Sequence, residues 1–326
     1  MRYRSLGRSG LMVSALGLGC NNLGGRIAQK QSSTLVHAAL DQGVTLFDVA
    51  DVYGRRDAYA GASEEALGKA LTDKRSQAVI ATKFGMKMCT GDDPSARYSG
   101  ASRRYILEAV EASLKRLGTD WIDLYQLHSP DPRTPLEETL HTLDSLVTAG
   151  KIRYAGVSNL PAWQVADACH IARRDNLAGI ISCQDELSLL ARSAGKELLP
   201  ALTHFGLGLL PYFPLASGML TGKYRRDAPP PEGSRLAAWT YLQERYRDPA
   251  TWSLIEALAE LAARYERPMA DLAFGWLLHK PQIGSVIAGA TSTAQLEANI
   301  ASCAAPLDEP LLEALENLLE KHGTPS

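Results

Sequence analysis

Short unbroken apolar runs alternate along the chain with longer stretches whose apolar residues recur every three or four positions. The runs are "ALGLGC", "VTLFD", "AVIATK", "IDLYQLH", "IRYAGVSN", "GIISCQ", "LGLLPYFP" and "SVIAGA". Between them stand stretches such as "SSTLVHAALDQG", "SEEALGKALTDK", "RRYILEAVEASLKRLG", "PLEETLHTLDSLVTAG", "PAWQVADACHIARR", "AGKELLPALTHFG" and "PMADLAFGWLLHK". "STAQLEANIAS" and "DEPLLEALENLLEKHG" close the chain. A three-to-four-residue recurrence is the period of one helix face, whereas a short solid apolar run is a strand buried on both sides. Several of the helical stretches begin at Ser or Pro and end at Gly, as helix boundaries do. Eight runs alternating with helices predict an α/β fold with a parallel sheet. Eight units in 326 residues fit a (β/α)8 TIM barrel. A doubly wound open sheet shares the same alternation, and the pattern alone does not say whether the sheet closes. "RYRSLGRSGLMVSAL" predicts an N-terminal β-hairpin, and the closing stretches predict extra C-terminal helices around one barrel domain over 1–326. From Tyr224 to Pro249 the rhythm breaks, and "RRDAPPPEGSR" reads as a Pro-rich loop of the length that often carries function.

Polar residues gather at the ends of the runs. The second ends at Asp48, the third at Lys83, the fourth at His128, the fifth at Ser158 and Asn159, the sixth at Gln184 and the seventh at Tyr212. In a barrel all of these project at the C-terminal mouth, where barrel active sites lie. Tyr53 follows in the loop after Asp48, just before Gly54. Taken singly, each has a plain reading: Asp48 as a cap, His128 as a structural imidazole, Lys83 as a solvated cation. Acid, phenol, amine and imidazole together at one mouth suit proton delivery to a carbonyl oxygen. A tyrosine titrates near ~10 and so holds a proton to give, and a nearby ammonium stabilises the phenolate left behind. Lys83 would do this if Asp48 held it by an ion pair, while His128 would orient the carbonyl. The hydride must come from a cofactor, because no side chain supplies one. The expected catalytic set is therefore Asp48, Tyr53, Lys83 and His128.

The common cofactor and hydrolase signatures are missing. No G-x-G-x-x-G follows a strand, "GMLTGKY" is one residue short of a P-loop and lacks its Ser or Thr, and neither G-x-S-x-G nor H-E-x-x-H occurs. The formal net charge of -2, with cations dispersed along the chain, gives no support for nucleic-acid or membrane-surface binding. The five cysteines are widely spaced without C-x-x-C, so no disulfide framework and no metal site are expected. No signal core and no N-x-S/T acceptor appear, and a cytoplasmic location is the expectation. The chain reads equally as a monomer or a homo-oligomer.

Ordered segments then match a known family. "GVTLFDVADVYG", "GASEEALGKAL", "TKFG", "DLYQLHSPD", "GKIRYAGVSN" and "PLASGMLTGKY" resemble, in this order, segments of the aldo-keto reductase superfamily. "YFPLASGMLTGKY" followed by "PEGSR" is most similar to the branch holding the potassium-channel β-subunits and their bacterial relatives. The resemblance implies a barrel, a tetrad of Asp48, Tyr53, Lys83 and His128, and NADPH extended across the mouth, with NADH as the other nicotinamide it would take. It implies that Ser158, Asn159 and Gln184 hold the carboxamide, with Asn21 and Asp48 beside them. Tyr212 would stack on the nicotinamide. Phe213, Pro214, Leu215, Ser217, Lys223 and Arg235 would run along the phosphates, and Gly289, Thr291, Gln295 and Asn299 would take the adenosine end. The implied substrate is a small carbonyl compound or the matching alcohol.

Three positions depart from the family pattern. Val49 replaces a Thr, Thr291 stands where many members carry a basic residue, and Ala298 replaces a Glu that touches adenine. No Lys or Arg lies between Lys280 and Lys321, so a 2′-phosphate would depend on Lys223 and Arg235. A second expectation is a nucleotide-sensing subunit with little turnover. The channel subunits carry Asn in place of His128, and this chain shows no long arm before the barrel, which favours turnover. For the substrate pocket, Asn21, Asn22 and Arg55 are expected as polar contacts and Phe84, Tyr98 and Trp239 as an apolar wall.

Overall fold

The computed structural model describes residues 1–88 and 99–324. It begins with strands β1 (Tyr3–Ser5) and β2 (Met12–Ser14), an antiparallel hairpin with Tyr3 opposite Ser14. Alternating units follow: β3 (Leu16–Gly19) and α1 (Gln29–Asp41), β4 (Leu46–Asp48) and α2 (Ala62–Ala70), β5 (Val79–Phe84) and α3 (Arg103–Leu117). Next come β6 (Ile122–Leu127) and α4 (Leu136–Thr148), β7 (Ile152–Ser158) and α5 (Ala162–Arg174), β8 (Ile180–Glu186) and α6 (Leu198–Phe205). After β9 (Gly208–Tyr212) the chain makes α7 (Arg235–Ala238), α8 (Thr240–Arg245), α9 (Pro249–Arg264) and α10 (Met269–His279). It ends with β10 (Val286–Gly289), α11 (Thr293–Ala304) and α12 (Glu309–His322). The strands β3 to β10 close into a parallel barrel, with β10 pairing both β3 and β9. Closure is what the alternating pattern left open. Each edge of the barrel sheet finds a partner, so the barrel has no open strand edge among the described residues.

Alternation along the strands sorts the core into two parts. Leu46, Ala81, Leu124, Leu210 and Ile287 fill the barrel, and Leu6 and Val13 of the hairpin region pack with them to seal its N-terminal end. The larger apolar cluster lies between strands and helices and includes Phe47, Ile80, Tyr125, Leu127 and Val157. With the lower end plugged, the open end is the C-terminal mouth. Helix starts follow the local chemistry: Ser102, Ser292 and Asp308 accept backbone N–H bonds at the heads of α3, α11 and α12.

The segment read as a long Pro-rich loop is more structured than expected. It contains α7 and α8, and α9 begins at its end on the Asp248 cap with Pro249 in the first turn. Helices of four and six residues are too short to display a period. The α9 pattern of Leu254, Leu258 and Leu261 was readable but was masked by the irregular stretch before it. No helix among the described residues is long and apolar enough to cross a membrane.

Candidate active site

Strand register brings the polar strand ends to one level. Asp48 pairs with Ala81, Lys83 with Gln126, and Ser158 with Gln184. His128 and Asn159 follow β6 and β7 directly, and Tyr212 ends β9. The loop after β4 delivers Tyr53. Its N–H donates to the Ala50 carbonyl, and its carbonyl accepts from the N–H groups of Gly61 and Ser63. Gly54 lets the loop turn back: its φ is +97°, and a Cβ there would stand 2.7 Å from the Ala62 Cβ and 2.8 Å from the Tyr59 carbonyl oxygen.

Asp48 and Lys83 form a buried ion pair. Lys83 is 0% exposed, and its ammonium donates to Asp48 Oδ1 at 2.7 Å, Asp48 Oδ2 at 2.8 Å and the Val49 carbonyl at 3.0 Å. Tyr53 Oη lies 3.4 Å from the same ammonium. Gln184 Nε2 donates to Asp48 Oδ1 at 2.8 Å, a link without a signature in the sequence. Burial by itself would lower the lysine pKa, but Asp48 and Tyr53 together raise it above its ordinary value, so the ammonium is firmly charged.

One electrostatic expectation is refined. Burial raises the Tyr53 phenol, and the opposing pull of Lys83 does not bring it below its ordinary value. The phenol therefore holds its proton more tightly than Lys83 alone would imply. The His128 ring meets the Tyr53 ring edge to face at 5.8 Å. Burial, helped by the Lys83 charge, lowers its imidazole to about 3, so it is neutral. Its Nδ1 is enclosed without a partner, which leaves Nε2 as the nitrogen available to a ligand.

The residues expected around a nicotinamide carboxamide also converge. Asn159 Nδ2 donates to the His128 carbonyl at 2.9 Å and to Ser158 Oγ at 3.0 Å, while Asn159 Oδ1 accepts from the Tyr212 hydroxyl at 2.8 Å. The Asn159 amide is thus spent on fixing its neighbours. Ser158's own proton and Gln184 Oε1 have no partner among the described residues. One donor and one acceptor side by side complement a primary carboxamide. Phe213, Pro214, Leu215 and Ser217 continue from β9 through a turn in which Phe213 and Ser217 have positive φ.

At the far side of the mouth, the Gly289 backbone lies against the Arg235 guanidinium, with Asn21 and Asn22 close by. Arg235 has no carboxylate partner among the described residues; it sits 5.8 Å from the Trp239 ring. Lys223 is exposed and folds over the Tyr224 ring at 5.1 Å. Gln295 Oε1 accepts from both the N–H and hydroxyl of Thr291, and Asn299 is buried.

The expected substrate wall is partly corrected. Phe84 is fully buried and packs against Tyr125 with ring centroids 4.7 Å apart and planes tilted by 30°, because its strand neighbour Lys83 takes the inward direction. Asn22 is also buried and donates to the Ala290 carbonyl, tying two loops rather than facing a substrate. Arg55 is exposed and bonds the Lys87 carbonyl. Trp239 is half-buried at the mouth, and Tyr98 falls outside the described residues. Four of the cysteines are buried and free, Cys89 falls outside the described residues, and no metal-holding cluster occurs among those described.

Behind the ion pair lies a cluster that the sequence reading passed over. Glu64 is fully buried and accepts from Thr82 Oγ1 at 2.6 Å and Arg116 Nε at 2.7 Å. Asp51 is 1% exposed beside it, and burial plus the Glu64 charge push its carboxyl well above the usual range. Tyr105 Oη donates to Asp51 Oδ2 at 3.4 Å. The available signal was two acids, in "DVADVYG" and "SEEALG", at positions that an apolar neighbourhood must bury.

Residues 15–320 match the family model described as the Aldo/keto reductase family. The chain is 35% identical over 334 residues to a probable voltage-gated potassium channel subunit beta of Arabidopsis thaliana, covering 98% of this chain and 97% of that one. It is 34% identical to an uncharacterized oxidoreductase of Bacillus subtilis, covering 99% and 97%. It is 33% identical to the L-glyceraldehyde 3-phosphate reductase of Escherichia coli, covering 92% and 87%.

Proposed function

The chain belongs to the aldo/keto reductase family and is an oxidoreductase, and from that premise we propose that it reduces an aldehyde or ketone with NADPH, using Tyr53 as general acid. The observation that carries the proposal is the Tyr53 hydroxyl, 3.4 Å from a fully buried Lys83 ammonium paired to Asp48 and beside a neutral His128. When bound, the nicotinamide supplies the hydride that no side chain can. Ser158 Oγ–H and Gln184 Oε1 are free to take its carboxamide, and the unneutralised Arg235 is free to take its phosphate.

His128 Nε2–H donates to the substrate oxygen and orients the carbonyl carbon toward the hydride. As that carbon gains the hydride, the Tyr53 O–H bond breaks and its proton moves to the substrate oxygen, giving the alcohol. The phenolate left behind faces Lys83, whose charge opposes, without cancelling, the burial that raises the phenol pKa. Asp48 receives two bonds from Lys83 and one from Gln184, so it holds the ammonium at the phenol and ties it to a carboxamide contact. Solvent then returns a proton to Tyr53. Run backwards, the same atoms oxidise the alcohol.

The test is turnover of NADPH and NADH with a panel of aldehydes, ketones and alcohols that includes a phosphorylated aldehyde, in wild type and Tyr53→Phe. Loss of a general acid lowers the rate by about 10²–10⁴ while cofactor binding stays. Near-normal turnover in Tyr53→Phe rejects the assignment. Tight nicotinamide binding without turnover of any carbonyl would favour a nucleotide-sensing subunit, in keeping with the names of the channel-subunit relatives.

A further inference from the structure

The buried cluster behind the ion pair is linked to both Tyr53 and Lys83. Glu64, in the first turn of α2, accepts from Thr82 Oγ1, and Thr82 is the residue before Lys83 on β5. The Asp51 N–H donates to the Lys83 carbonyl at 3.1 Å. Arg116, in the last turn of α3, donates to Glu64 Oε2 and is also the cation that faces Asp51. The Arg116 side chain lies against Gly61, where a Cβ would stand 2.5 Å from Arg116 Cδ and 2.8 Å from its Nε. Gly61 in turn donates its N–H to the Tyr53 carbonyl at 3.1 Å, and Ser63 adds a second N–H at 3.3 Å. Ser63 Oγ is fastened to the Cys20 carbonyl at 2.5 Å.

Tyr53 and Lys83 come from different segments, so their 3.4 Å separation is set by how the loop after β4 sits on β5. One bracket, Arg116 with Glu64, grips both: the loop through Gly61 and the strand through Thr82. Gly61 suits this close approach, because its φ is +94° and it has no side chain to push the guanidinium away. Burying an ion pair here is costly, and apolar residues of the same volume would fill the space at less cost. What they would lack is the directional, charge-assisted bonding that ties Glu64 at once to α3 and to β5.

We propose that Arg116 and Glu64 are positioning residues for the reaction: they clamp the Tyr53 loop onto β5 and so set the distance from the phenol to the Lys83 ammonium. Neither touches the reacting atoms. This rests on the reductase reading above, which makes Tyr53 the general acid. The molecule supplies a matched control. Arg75 pairs with Asp123 at 2.6 Å, partly buried, and ties together the N-terminal ends of the same two strands, β5 and β6. Breaking that pair also removes a cation from a partly enclosed carboxylate, but at the end of the barrel away from the mouth.

The experiment measures three quantities in wild type, Arg116→Met, Arg116→Lys, Glu64→Gln and Arg75→Met: the reduction step in a single turnover, the Kd of NADPH by fluorescence, and the pH profile of alcohol oxidation. A reacting group misplaced by about 1 Å loses up to about 100-fold in rate. The reduction step therefore falls about 10- to 100-fold in Arg116→Met, while the Kd of NADPH stays near wild type. The loss is smaller in Arg116→Lys, which restores the charge without the guanidinium fork, and in Glu64→Gln, which keeps a side-chain oxygen for Thr82. Alcohol oxidation needs the phenolate, so its profile moves to higher pH in Arg116→Met, because a phenol drawn away from Lys83 loses the cation that lowers its pKa. The groups that face the phenol, Lys83, Asp48, Cys20 and His128, are the same in every variant. Arg75→Met keeps the wild-type step and profile. If Arg116→Met does not fold, Glu64→Gln is read in its place. A wild-type reduction step in the folded variant, or an equal loss in Arg75→Met, overturns the clamp and leaves the reductase reading standing. A wild type that reduces no carbonyl brings down that reading and the clamp with it.

Discussion

Replacing Lys83 by Met removes an ammonium that is fully enclosed and bonded to both oxygens of Asp48. Asp48 is 3% exposed, so after the change its carboxylate keeps only the Gln184 bond and no countercharge. Breaking one side of a buried ion pair in this way destabilises by about 3–5 kcal/mol, because the remaining charge stays desolvated. Replacing both partners removes that charge, so Lys83→Met/Asp48→Leu is more stable than Lys83→Met alone. Urea unfolding of the three proteins measures this. Both variants lose carbonyl reduction, whereas Asp48→Asn, which keeps the ammonium beside Tyr53, retains part of it. A loss under about 1 kcal/mol in Lys83→Met, or a double variant less stable than the single, would refute the uncompensated-charge account.

His128 carries a second expectation. Its folded pKa of about 3 lies below the ordinary ~6.5, so the neutral form stabilises the fold above pH ~6.5. That contribution is lost as pH falls from about 6.5 toward about 3, up to about 5 kcal/mol at about 1.4 kcal/mol per pH unit. Urea titrations of His128→Asn should show a flatter acid limb, and an identical limb would show that the imidazole is not the group responsible. Arg235→Ala should lower kcat/KM for NADPH by about 1.5–3 kcal/mol and leave NADH nearly unaffected, as expected for one charge-assisted phosphate contact. Equal losses with both cofactors would place Arg235 away from the 2′-phosphate, and a wild type that prefers NADH would reject the cofactor assignment.

Much of this protein was legible in one dimension. The eight runs, the hairpin and most of the helices follow from periodicity and end signals, because helix and strand periods are local properties. The polar cluster was legible too: side chains at strand ends must share the mouth once the strands are parallel, so Asp48, Lys83, His128 and Gln184 could be grouped before any contact was known. Closure of the sheet, implied by the family resemblance, could not be read from the alternation alone, since it depends on β10 reaching both β3 and β9 across the whole chain. The inward turn of Lys83 and outward turn of Phe84 depend on which face of β5 meets the barrel interior, a choice made by the register of neighbouring strands. The phenol that burial raises despite Lys83 and the Gln184–Asp48 bond both depend on residues far apart in sequence. Desolvation and three-body contacts of that kind arise only when distant segments are packed together.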